Sequence, residues 1–226
     1  MPAGSLSSPI RPSVPHARSL LFVSRMQARL MRYFRSRRHQ WLTEEFEDCR
    51  TVIDVGGRAS MWSTVKLLPR VTIVNVEGAE VTGGRRFEYI HCDARSLEFG
   101  DRAFDLAFSN SVIEHVGTLE DQKQFAEEMM RVGRRIYCQT PNRWFPVEFH
   151  FLGAFVHWLP RKCFSYFVHR YLTLRGLLSK PTREQSWELR KSIRLLTRRE
   201  LAALFPGCTI RTERVLGIPK SFTAWR

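Results

Sequence analysis

The sequence predicts an α/β fold built on a doubly wound, mostly parallel sheet, and three observations predict it. Between residues 51 and 142, short β-branched apolar runs alternate with helical stretches, the pattern of right-handed βαβ units. Acidic residues fall at or just past the ends of the first three of these runs: Asp54, Glu77 and Asp93. In open α/β sheets the carboxyl ends of the strands are where ligands bind, so three acids along one rim suggest a nucleoside-type ligand. Finally, the chain closes with two runs, 209–215 and 220–225, whose short connection Leu216-Gly217-Ile218-Pro219 suits an antiparallel hairpin.

The elements follow in order. Thr51–Val55 reads as a buried strand delivering Asp54 and then the bare backbone of Gly56-Gly57 to the rim. Ser60–Leu68 reads as a short helix stopped by Pro69. Val71–Val76, Phe87–His91 and Phe104–Ser109 are the next strands, and Leu119–Val132 is a helix with Phe125, Met129 and Val132 on one side. Arg135–Thr140 is a fifth strand, ended by Pro141. Residues 144–190 break the rhythm with a run of Trp, Phe, His and Arg, and read as an inserted helical cap. Thr197 with Glu200 has capping-box spacing for a helix that ends at Phe205-Pro206-Gly207.

The chain has 226 residues, enough for one α/β domain, and a formal charge of +14. That charge is unevenly placed. Residues 1–43 carry eight arginines and no acid, and a second basic stretch runs from Arg161 to Arg199. Residues 1–43 are therefore expected to be an extension: a Pro- and Ser-containing disordered lead, then a basic amphipathic helix with Leu20, Val23, Leu30, Phe34 and Trp41 on one face. Such a helix suits peripheral contact with a membrane surface, packing on the domain with solvated arginines, or an organelle transit peptide. Residues 44–226 would be the domain proper. The five cysteines are widely spaced, without zinc-ligand pairs, so no metal and a reducing cytoplasmic setting are expected. No apolar stretch reaches the roughly 20 residues of a membrane span.

Taken in order, Val-Ile-Asp-Val-Gly-Gly, Val-Asn-Val-Glu, Cys-Asp-Ala and Phe-Asp-Leu-Ala-Phe-Ser-Asn-Ser-Val-Ile-Glu-His-Val resemble the class I S-adenosylmethionine-dependent methyltransferases, in particular the ubiquinone/menaquinone-methyltransferase-like branch called type 11. The resemblance covers residues 46–142 and, loosely, the terminal hairpin. It implies a Rossmann-like sheet of about seven strands and S-adenosylmethionine as cofactor. It also implies methyl transfer by in-line displacement to a small-molecule or lipid-like acceptor, which the aromatic and basic cap would suit.

The resemblance assigns cofactor-binding places to Asp54, Gly56, Gly57, Glu77, Asp93, Ala94, Ser109 and Asn110. Glu77 would accept the ribose hydroxyls, Asp93 the adenine amino group, and Ser109 and Asn110 would end the fourth strand beneath the sulfonium. Gly56 and Gly57 would let backbone approach the methionine moiety. The family's loop usually continues with glycines where this chain has Arg58 and Ser60. Arg58 therefore either points outward, toward the cofactor carboxylate, or impairs binding. Trp62 either walls the pocket or fills the core. Glu114 and His115 are candidate catalytic groups, His115 as a general base or as a structural histidine that fixes its loop. Asn142, Arg143 and His150 are candidate acceptor contacts, an arginine there suiting a carboxylate or phosphate; the alternative is an Asn turn with a solvated arginine.

Three other functions compete. A nicotinamide-dependent oxidoreductase is disfavoured because Gly-Gly-Arg-Ala-Ser matches a dinucleotide fingerprint poorly. Nucleic acid as substrate is suggested by the charge, but Ser109-Asn110-Ser111-Val112 lacks the Asn/Asp-Pro-Pro-aromatic motif of base-amine methylation. An inactive methyltransferase-like scaffold is motivated by Arg58.

Overall fold

The structure, a computed structural model, describes residues 29, 33–34, 36–38, 40–62, 69–76, 86–160 and 166–226. The chain divides into two units, Met1–Arg38 and His39–Arg226. In the first, the described residues are helical, and Tyr33 and Phe34 meet edge to face at 5.4 Å. The expected lead and Leu20, Val23 and Leu30 lie outside the described residues. The division falls before the expected 43/44 boundary for a physical reason: in the second unit, helical residues 40–45 (α1) bring Leu42 into the core, and Trp41 packs on Tyr137 and Trp225.

The second unit is organised by a seven-stranded sheet of β1 (Thr51–Val55), β2 (Arg70–Asn75), β3 (Phe87–His91), β4 (Phe104–Asn110), β5 (Gly133–Pro141), β8 (Thr209–Val215) and β9 (Ile218–Trp225). Their order is β3-β2-β1-β4-β5-β9-β8, with β3 through β5 parallel and the last two antiparallel. The intervening β6 (Val147–Glu148) and β7 (Gly153–Ala154) pair separately in the cap. The order reverses at β1, between β2 and β4, and that is where an open α/β sheet opens a ligand crevice.

Period-two alternation makes two cores. Ile53, Val55, Val74, Ala107, Ile136 and Cys138 face one side. There they meet Phe125 and Met129 of α3 (Leu119–Val132) and Leu201 of α7 (Arg198–Leu204). Val52, Val71, Ile73, Leu106, Phe108 and Tyr137 face the other side, with Leu42, Phe46 and Trp62 of α2 (Ala59–Trp62). Strands covered on both faces need apolar residues at every position, which is why they read as continuous runs rather than as alternation. Each large side chain so buried contributes about 1.5–3 kcal/mol.

Most expected elements stand. β3 and α3 have the expected bounds. Thr197 and Glu200 form the expected capping box. The terminal hairpin is antiparallel. Two expectations need correction. Val76 falls outside β2 and is 61% exposed, past the last strand partner Asn75↔His91. β5 starts at Gly133, straight out of α3, where a Cβ would collide with Ala107. It also runs through Pro141, which a strand end tolerates because it does not need that N–H. The expected helix over 60–68 is described only for Ala59–Trp62.

The cap is not all helical. It holds α4 (Tyr166–Leu172), α5 (Leu174–Ser179) and α6 (Arg183–Lys191), preceded by the β6–β7 ribbon. Leu152, between the two short strands, and Phe155, just after them, take left-handed backbone. A small core of Phe151, Val156, Ile193 and Leu195 lies beneath it. No helix among the described residues is long and apolar enough to cross a membrane. Cys49, Cys92, Cys138 and Cys208 are free thiols.

Candidate active site

The rim at the switch point is built by local sequence. Asp54 lies within β1, fully buried, and accepts a 2.7 Å hydrogen bond from Trp62 Nε1 through its Oδ2. Its Oδ1 is buried without a partner. Burial pushes the Asp54 carboxyl up to about 7, against the opposing pull of the Trp62 donor. Trp62 is therefore a core residue, packed edge-on to Phe108 at 5.1 Å, that also holds Asp54. Gly56 is left-handed at φ +76° and donates its N–H to Val74 O. A Cβ on Gly56 would strike Val112, and one on Gly57 would lie 1.9 Å from Asp54 Oδ2. The protein's own atoms thus require glycine at both positions. Arg58 is exposed.

The remaining rim candidates are placed as follows. Glu77 lies outside the described residues. Asp93, just past β3, is gripped by Arg95 through its side chain and backbone N–H, and Arg95 also reaches Asp121 at 2.6 Å. The Arg95 hydrogen bonds hold the Asp93 carboxyl below its ordinary value. Ala94 follows it, half-buried. Ser109 is buried at the end of β4 and donates to Val55 O, tying β4 to β1. Asn110 is half-buried at the strand end.

A second cluster lies where the β4 end meets the cap. A 3-10 turn, Ile113–His115, follows Val112. Gln122 of α3 anchors it by donating to Ile113 O and Arg194 O, and Arg194 N donates to Glu114 O. Glu114 is fully buried; Thr140 Oγ1 donates to its Oε2 at 2.9 Å, and Oε1 has no partner. Burial pushes Glu114 up to about 7. His115 Nε2 lies 3.0 Å from His150 Nε2, with the rings edge to face. His150 Nδ1 lies 2.6 Å from Glu148 Oε1, and Phe151 N donates to the other Glu148 oxygen.

These partners fix the protons. Burial pushes His150 down, but the Glu148 hydrogen bond and charge outweigh it and hold the ring above its ordinary value. Crowding of the ring, then the neighbouring His150 charge, pushes His115 down to about 4, although the residue keeps an exposed edge. A protonated His150 donating to a neutral His115 satisfies both rings, and the pair shares one proton.

The other two candidate acceptor residues have their polar groups engaged by the chain. Asn142 donates to Pro219 O and accepts from Trp144 N. Arg143 donates to Leu195 O and lies 3.4 Å from Glu200, while its own carbonyl accepts from His157 and Trp158. Both shape the turn after β5. Sequence reasoning did not single out Glu148. Its only signal is the spacing Glu148-Phe149-His150, an acid and a histidine on the same side of an extended segment.

The comparisons agree with this geometry. Residues 64–135 match the family model described as "Methyltransferase domain"; the matched stretch begins after the glycine loop. A search of the curated proteins finds no match. Among solved structures, the chain is similar to the 1,6-didemethyltoxoflavin-N1-methyltransferase of Burkholderia thailandensis, solved with 1,6-didemethyltoxoflavin and S-adenosylhomocysteine. That likeness has a TM-score of 0.55 at 14% identity, over 97% of this chain and 92% of that one. It is also similar to the PH0226 protein of Pyrococcus horikoshii OT3, with a TM-score of 0.50 at 15% identity, over 82% and 85% of the two chains. The sheet order and these likenesses define a class I, Rossmann-like methyltransferase fold. The methyltransferase domain matched over residues 64–135, on that fold, supports a methyltransferase that uses S-adenosylmethionine.

The rim fits that cofactor. Asp54 Oδ1 is a buried oxygen in want of a donor, which suits a ligand carrying an ammonium.

Proposed function

We propose that the protein transfers a methyl group from S-adenosylmethionine to a small or lipid-like acceptor that enters beneath the 144–190 cap. The bound cofactor supplies a methyl group on an electrophilic sulfonium. In this reading the cofactor lies along the rim, across Asp54, Gly56, Gly57, Glu77, Asp93, Ala94, Ser109 and Asn110. Ser109 and Val112 hold the β1 and β4 loops against each other, so the cofactor and acceptor sides keep a fixed separation. A fixed separation is what in-line displacement requires, since alignment supplies much of its rate.

The observation that carries the acceptor side is the His115–His150 pair, which joins the turn after β4 to the cap. The acceptor would meet the methyl beside His115, His150 and Glu114, with Asn142 and Arg143 shaping the entrance. The exposed Trp144, Phe155, Trp158 and Trp187 give the cap an apolar, amphiphile-friendly surface.

Calorimetric titration with S-adenosylhomocysteine tests the cofactor half. Micromolar binding is expected, and Glu77→Ala should weaken it by roughly 1–3 kcal/mol, the cost of unmade charge-assisted hydrogen bonds. Unchanged affinity in that variant would remove the ribose assignment. Methyl-labelled cofactor with panels of lipid-like and carboxylated acceptors tests the other half; label retained only on polar, RNA-bound material would overturn the acceptor class.

A further inference from the structure

We propose that Glu114, His115 and His150 form a binding site for a divalent first-row transition-metal cation at the acceptor side of the site. One carboxylate oxygen of Glu114 and one ring nitrogen of each histidine lie within 4.8 Å of one another. Two imidazoles and one carboxylate, with other positions left open, are the donor set of catalytic zinc and non-haem iron centres.

Three independent features separate this cluster from a chance gathering of polar groups. The first is orientation. The two Nε2 atoms face each other at 3.0 Å, close to the separation of about 3.3 Å that two nitrogens have at about 2.05 Å from a tetrahedral cation. The second is outer support. A metal-ligating histidine ordinarily donates its other ring N–H to a carboxylate or carbonyl, which fixes its tautomer and orientation. His150 has such a partner in Glu148, at 2.6 Å. Glu148 is itself held by Phe151 N. The third is the vacancy on Glu114. Its Oε2 is oriented by Thr140, while its Oε1 is fully buried with no partner. A buried carboxylate oxygen without a donor costs free energy that a cation recovers.

Because the protein supplies only three donors, the remaining positions are free for oxygen ligands. On the reading of the site given above, this favours acceptors with two adjacent oxygens, such as vicinal hydroxyls or a hydroxyl beside a carbonyl or carboxylate.

The test uses the full chain stripped of metal by chelation, titrated with zinc chloride in a calorimeter and with cobalt(II) chloride by visible absorption. One equivalent per chain is expected, with ligand-field bands for cobalt. His150→Ala and His115→Ala should each weaken binding at least a hundredfold, and Glu148→Gln by tenfold to a hundredfold, the usual cost of losing outer support. His115 is exposed, so its variant can be checked for folding by circular dichroism and should retain the fold. No saturable binding by wild type, or equal binding by wild type and both histidine variants, overturns the site. S-adenosylhomocysteine titration of the same samples keeps the two readings apart. Cofactor binding without cation binding removes only the metal site. Cation binding without cofactor binding removes the methyl-transfer reading and leaves the metal site standing.

Discussion

At the rim, Asp54 is held by residues close to it in the chain: Trp62 donates to its carboxylate, and Gly57 leaves the space that the carboxylate fills. In the cap, Glu148 holds His150, and His150 meets His115 on the turn after β4, brought in from 35 positions away. Both regions bury acids, yet they use them differently. Asp54 is a lone carboxyl whose burial raises it to about 7. Glu148 is buried with a histidine partner and a backbone donor, so its charge is compensated. The contrast teaches that the rim is ready for a cationic ligand to supply the missing charge, whereas the cap has already assembled its polar partners.

The sharpest way to break this contrast is to remove the Asp54 charge. The folded value near 7 lies above the ordinary 3.8, so the fold favours the neutral form. Its contribution to stability is complete below pH 3.8 and is lost as pH rises through 7. Asp54→Asn should therefore gain on the order of 2–4 kcal/mol over the wild type between pH 4 and pH 8, read by chemical denaturation without cofactor. The same variant should bind S-adenosylhomocysteine less tightly. A stability difference that does not vary with pH would show that the carboxyl is not raised.

Next in size, Gly57→Ala forces a methyl into the Asp54 carboxylate. A loss of about 1–3 kcal/mol in thermal denaturation is expected, the usual cost of overpacking, together with weaker cofactor binding. A melting temperature equal to wild type would show that the loop yields.

Glu148→Ala probes the other region. It leaves the buried Phe151 N–H unpaired and His150 without its anchor, at a cost of about 1–3 kcal/mol. Cofactor affinity should be untouched, because the rim does not depend on the cap. A parallel fall in cofactor affinity would show the two regions to be coupled.

The smallest effect is expected at Thr118, whose side chain caps α3 in a capping box with Asp121. Thr118→Ala should cost about 1 kcal/mol. Because Asp121 also holds Arg95, which grips Asp93, amide exchange in that variant should rise near residue 93 as well as at the α3 start.

The rim was largely legible because its information is local. Val52-Ile53-Asp54-Val55-Gly56-Gly57 states a doubly covered strand, a turn and a carboxyl within six residues. The alternation of such runs with helices fixes the handedness and, through it, the parallel sheet. The capping box at Thr197 was legible for the same reason. Glu114, His115 and His150 could be picked out singly, but nothing in their spacing says that they meet. Nor does the sequence of Asn142 and Arg143 reveal that their polar groups are engaged by Pro219, Leu195 and Glu200.

The sequence by itself determined the framework, because strand and helix periodicity, turn glycines and caps act over a few residues and need no distant partner. The tertiary structure alone decided the polar cluster. Where a helical cap was expected, the chain turns through left-handed Leu152 and pairs β6 with β7. That ribbon set Glu148 behind His150 and His150 against His115, a meeting of residues 35 positions apart that only chain folding can make.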